Sequence, residues 1–174
     1  MILSDVMSVS VDFISYDYLA GLYQRCDILQ AVRDMKHLTI YTDGGARGNP
    51  GPAGIGAVIL NEEGKTLKEV SKYLGHATNN VAEYQALIAA LEECKKMFGE
   101  KLREMRLEVR MDSELIVRQM TGLYKVKEPT LKGLFGKVAM LRLEDAPNMI
   151  FTHVPREKNK RADQLVNEAI DKEL

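Results

Sequence analysis

Two periodicities alternate along the chain, and their switching points divide it. Leu19, Leu22, Tyr23, Cys26, Leu29, Val32 and Met35 recur at helical spacing, which predicts one amphipathic helix over roughly Ser15 to Met35. A helix of this kind is expected to pack on the main domain or on a partner chain. Near His37 the pattern changes to short β-rich runs: Leu38 to Thr42, Gly54 to Leu60 and Leu67 to Leu74. The turn sequence NEEGK makes the last two a hairpin. Helical spacing returns from Asn80 to about Phe98, with Tyr84, Leu87, Leu91, Cys94 and Phe98 on one stripe. Met105, Leu107, Val109 and Met111 then alternate with Arg106, Glu108 and Arg110, the period of a half-buried strand. Helices are predicted over Ser113 to Met120 and Thr130 to Leu143, a strand over Met149 to Val154, and a last helix over Asn159 to Lys172. The order of elements predicts an α/β protein with a mixed sheet. Residues 1–37 read as an N-terminal helical extension and residues 38–174 as the main domain.

Composition narrows the class. With 45% hydrophobic and 28% charged residues, the chain matches ordinary soluble globular proteins. It contains no apolar run long enough for a membrane span, so no membrane partner is expected. The first residues lack a basic segment and carry acids early, unlike a secretory signal. The two cysteines, Cys26 and Cys94, form no CxxC or Cys/His cluster. That argues against zinc and a disulfide framework and fits a reducing, cytoplasmic setting. The net charge of −1 excludes a generally basic nucleic-acid binder but not a local patch.

Four acids change the picture when their positions are combined. Each has an ordinary local reading. Asp43 suits a turn, Glu83 a capping box opened by Asn80, Asp112 an N-cap, and Asp163 the first turn of the last helix. Three meander strands run up, down and up, so the first helix starts at the edge where the first strand ends. Helical crossovers then make the fourth and fifth strands parallel to the first. All four acids therefore arrive at one end of the sheet, where open α/β folds place their sites. Carboxylates gathered in this way repel unless a cation joins them. Oxygen ligands without Cys or His suit Mg²⁺ or Mn²⁺, and two such ions serve in-line displacement at phosphorus.

The segments TDGGARGNPGPAGIGAVI, TNNVAEYQALIAAL, MDSELIV and HVPREKNKRADQLVNEA resemble, in order and spacing, the four motifs of type 1 ribonuclease H. The resemblance covers about residues 38 to 172, and the short HVPRE loop is similar to that of the archaeal and bacterial branch. It implies a ribonuclease H-like fold, a five-stranded mixed sheet of order 3-2-1-4-5 flanked by helices. It also implies hydrolysis of the RNA strand of RNA/DNA hybrids with two Mg²⁺ ions, Mn²⁺ being a substitute, to leave 5′-phosphate and 3′-hydroxyl ends. By the same resemblance, Asp43 bridges the ions, Glu83 and Asp112 are further ligands, and Asp163 serves the ion that activates water. The backbone at Gly44 and Gly45 would approach the RNA strand, where the absence of side chains leaves room for a ribose. Asn79, Asn80 and Gln85 would contact the minor groove, where 2′-hydroxyls are displayed. Asn49 and Thr78 would hold a phosphate of the DNA strand.

Local alternatives stand beside these roles. Asn79 or Asn80 suits a helix cap, Asn49 before Pro50 a turn opener, and Thr78 a loop surface. The histidine that many members carry in a flexible loop has no plain counterpart. His153 reads as the end of the fifth strand, whereas Glu157 is nearer the usual position. Lys125, Lys127, Lys132 and Lys137 stand between DNA-backbone contacts and a solvated face, and Arg47 between a phosphate contact and solvent. Competing functions are another nuclease or strand-transfer enzyme of the same superfold, or a non-catalytic hybrid-binding module. GGARG does not match G-x-G-x-x-G, which disfavours nucleotide binding. A monomer is favoured.

Overall fold

The computed structural model describes residues 36–174; the helix expected over Ser15 to Met35, with Cys26, lies outside them. Three strands, β1 (His37–Ala46), β2 (Gly51–Leu60) and β3 (Thr66–Ala77), form an antiparallel meander. Helix α1 (Asn79–Phe98) returns the chain to β4 (Arg106–Met111), which pairs in parallel with β1. Helices α2 (Glu114–Met120) and α3 (Pro129–Glu144) lead to β5 (Met149–His153), parallel to β4. Helix α4 (Lys160–Asp171) closes the chain, and the sheet order is β3-β2-β1-β4-β5. Tight turns suffice between antiparallel neighbours, but parallel ones require the helical crossovers seen here.

β1 runs four residues beyond the expected Thr42, and β2 begins three residues before the expected Gly54. Asp43, Gly44, Gly45 and Ala46 pair with Gly56, Ile55, Gly54 and Ala53. The glycine-rich stretch is therefore mostly sheet. Its glycines satisfy a packing demand from helices that sequence periodicity does not display. A β-carbon on Gly44 would lie 2.2 Å from both Ala82 C and Glu83 N in α1, whereas one on Gly45 would meet Val166 Cγ1 of α4 at 3.3 Å. Adjacent strand residues point to opposite faces, so α1 and α4 sit on opposite sides of the sheet. On β2, a β-carbon on Gly54 would approach Val166 O at 2.9 Å, and one on Gly56 would approach Ala162 O at 2.1 Å. The glycines thus let both helices approach the sheet backbone closely.

The core lies between the sheet and α1. Leu38, Ile40, Leu107 and Val109 meet Tyr84, Leu87 and Leu91, all nearly inaccessible to solvent. Truncating one of them, for example Leu87→Ala, would cost about 2–5 kcal/mol through lost transfer energy and the cavity left behind. α4 has a separate inward stripe, Ala162, Leu165, Val166, Ala169 and Ile170. No helix among the described residues is long and apolar enough to cross a membrane.

Candidate metal and nucleic-acid site

Each acid lies in or beside a regular element, near the same edge of the sheet. Asp43 lies within β1 opposite Gly56 and is 9% exposed, so it is not a turn residue. Thr78, not Asn79 or Asn80, caps α1: its hydroxyl accepts from Val81 N at 3.3 Å. This places Glu83 beyond the first turn and removes the capping-box reading, since that motif needs its acid at the third helical position. Asp112 follows β4, while Ser113 occupies the N-cap of α2. Asp163 does lie in the first turn of α4.

One carboxylate oxygen each from Asp43, Glu83 and Asp112 can be chosen so that all three lie within 4.8 Å of one another. Burial and the neighbouring Asp112 and Asp163 push the Asp43 carboxyl up to about 6; a hydrogen bond from the Gly44 backbone and the Arg156 charge act in the opposite direction. Burial, then Asp43 and Asp112, raises Glu83 well above the usual carboxylate range. Its Oε2 is buried and without a hydrogen-bond partner among the described residues. A converging set of hard oxygen donors, one of them orphaned, fits a divalent cation of the Mg²⁺ type. Asp163 stands outside this trio. It lines the same cleft, about 350 Å³ in volume, and is held by Arg156, whose Nη2 lies 2.7 Å from Asp163 Oδ1.

The expected substrate contacts are in part engaged within the protein. Asn49 Oδ1 accepts from Asn79 N at 3.1 Å, and Asn79 Oδ1 accepts from Ala46 N at 2.8 Å. These two bonds through Asn79 brace the β1–β2 turn against the start of α1. Asn80 and Gln85 are partly exposed, with no hydrogen bond from their side chains among the described residues. Gly44 and Gly45 line the cleft, yet it is α1 that accounts for the missing side chain at 44. His153 ends β5 and is exposed. Glu157 is exposed too and lines a shallow depression with Arg156, Lys160 and Asp163. Arg47 pairs with Asp171, and Lys137 with Glu92 at 2.7 Å. Lys125, Lys127 and Lys132 are exposed.

Sequence reasoning passed over Arg156 and Asn159, although both stand in the last quoted motif. An arginine in a loop reads as solvated, and an asparagine before a helix reads as its cap. Asn159 does occupy the N-cap of α4, but its side chain makes no capping bond. It reaches across the sheet edge instead, to Thr42 O at 3.0 Å and Asp112 Oδ1 at 2.9 Å.

Fold and site together define the class: an α/β protein whose acids converge at one edge of a mixed sheet, in a setting suited to hard divalent cations. A family described as "Reverse transcriptase-like" matches residues 41–169. The chain is 42% identical over 131 residues to Ribonuclease HI of Halobacterium salinarum, covering 75% of this chain and 63% of that protein. It is 44% identical over 135 residues to a bifunctional protein of Mycobacterium tuberculosis, covering 77% of this chain and 35% of the relative. The chain thus spans roughly one to two thirds of the length of these relatives. Among solved structures, LC11-RNase H1 in complex with an RNA/DNA hybrid is 68% identical, with a TM-score of 0.75, covering 78% of this chain and 97% of that one. The chain belongs to the type 1 ribonuclease H family.

Proposed function

We propose that the chain hydrolyses the RNA strand of RNA/DNA hybrids, leaving 5′-phosphate and 3′-hydroxyl ends, in the cytoplasm. The observation that carries this reading is the convergence of Asp43, Glu83 and Asp112 within 4.8 Å in the family's fold. The hybrid-bound relative supports the choice of substrate. Two Mg²⁺ ions, or Mn²⁺ in their place, are the proposed cofactors; bound ions would supply an activated water and stabilise the leaving oxygen. Asp43, Glu83 and Asp112 would hold them, with Asp163 contributing from the rim. The cleft's acids are oriented by the ends of strands and helices, which keeps the donor set in place before substrate arrives. Asn80 and Gln85 would offer their side chains to the minor groove, where an RNA strand displays 2′-hydroxyls. Asn49, Thr78, Asn79 and the Gly44–Gly45 backbone would form the adjoining wall, and Glu157, which lines a depression with Asp163, would act at the loop.

The test is cleavage of labelled RNA/DNA hybrid, duplex RNA and duplex DNA with Mg²⁺, Mn²⁺ or EDTA. Cutting restricted to the RNA strand of the hybrid and abolished by EDTA is expected. Cutting of duplex DNA would indicate another nuclease of the superfold. Binding without cutting would indicate a hybrid-binding module.

A further inference from the structure

Asn159 is 1% exposed and lies at the meeting point of three elements. Its Nδ2 donates to the carbonyl of Thr42, the residue before Asp43, and to Asp112 Oδ1. Both partners are acceptors, which determines the orientation of the amide and uses both of its N–H groups. Four residues further along, α4 carries Asp163. One buried amide therefore links the segments that deliver three of the four acids. Asn159 Oδ1 is itself buried and unpartnered among the described residues, a cost that calls for a compensating reason.

We infer that Asn159 is the positioning residue of the acid cluster, holding Asp112 and the Thr42–Asp43 segment of β1 at the spacing that receives a divalent cation. Carboxylates brought this close repel, so Asp112 would swing outward unless something held it. A neutral donor is the chemistry this task needs. Lysine or arginine would neutralise the cluster and compete with the cation, and aspartate would add to the repulsion. The amide engages one oxygen of Asp112 and leaves the other free. Partners that orient metal-ligating groups contribute about 10–100-fold to metal affinity or activity.

The kinetic part of this inference rests on the hybrid-cleavage reading; the metal-binding part does not. Asn159→Ala removes the donor, and Asn159→Asp keeps the shape while turning the donor into an acceptor. Calorimetric titration with Mg²⁺ or Mn²⁺ in the absence of nucleic acid, at a temperature where each variant is folded, is expected to show binding at least about tenfold weaker for both. The Mg²⁺ concentration for half-maximal hybrid cleavage should rise in step, with kcat falling more than KM. Val138→Ala, on the buried face of α3, provides a destabilised control whose melting temperature falls while its metal affinity stays at the wild-type value. If Asn159→Asp does not fold, Asn159→Ser serves in its place. Wild-type metal affinity in folded Asn159 variants would overturn the inference. Wild-type protein that binds metal but does not cut hybrid would instead overturn the proposed activity and leave the positioning result readable.

Discussion

Gly44 and Glu83 are in backbone contact: a β-carbon on Gly44 would lie 2.2 Å from the Glu83 nitrogen. β1 and α1 thus touch where each contributes an acid. Gly44→Ala must push the start of α1 outward, because the atoms it meets are backbone and cannot rotate away. We expect a loss of at least about 2 kcal/mol in stability, read from urea denaturation. Metal affinity should fall with it, since Glu83 moves relative to Asp43. Unchanged metal binding in folded Gly44→Ala would show that this contact does not set the site.

Asp43→Asn should separate stability from activity. The Asp43 carboxyl is raised from 3.8 to about 6 in the folded chain. Between those values the native state holds a proton that the unfolded state has released, so metal-free stability falls as pH rises through the window. Above about pH 6 the ionised, unpaired carboxylate costs roughly 3 kcal/mol. With EDTA present the variant should melt higher than wild type at pH 7.5 and converge with it below pH 4, while hybrid cleavage is lost. A variant that cuts at the wild-type rate would remove Asp43 from the proposed chemistry.

Helix α3 should tolerate stabilisation. Gly133 and Gly136 lie inside it, and a β-carbon at either would meet nothing within 4 Å. Glycine in a helix interior is less favourable than alanine by about 0.5–1 kcal/mol. Gly133→Ala should therefore raise the unfolding free energy read from urea denaturation by that amount without altering cleavage, and a lowered midpoint would contradict the open surroundings of this residue.

Cys94 should be inert in the native state. It is fully buried on the inward face of α1, and burial, with the Glu93 charge nearby, pushes its thiol up to about 12. The thiolate is the reactive form. Alkylation of Cys94 by iodoacetamide, followed by peptide mapping, should be absent at pH 7.5 until denaturant is added. Prompt labelling of the folded protein would show that the core opens at α1.

Much of the fold was legible because periodicity is a local signal. The stripe Tyr84, Leu87, Leu91 and Cys94 and the alternation from Met105 to Met111 each reports which face is buried, and the chain rules for connecting strands then order the sheet. The four acids were legible for the same reason: each terminates or begins an element whose direction the topology determines. What the tertiary structure alone decided are relations between segments far apart in sequence. Gly44 and Gly45 read as lying beyond the first strand, but they are strand residues on which α1 and α4 pack from opposite faces. Asn159 reads only as the start of the last helix, but its partners are Thr42 and Asp112, 117 and 47 residues away. Asp163 reads as the equal of the other acids, but Arg156 holds it at the rim. A residue's type and its neighbours along the chain determine what it can bond to; only packing decides which of those partners comes within reach.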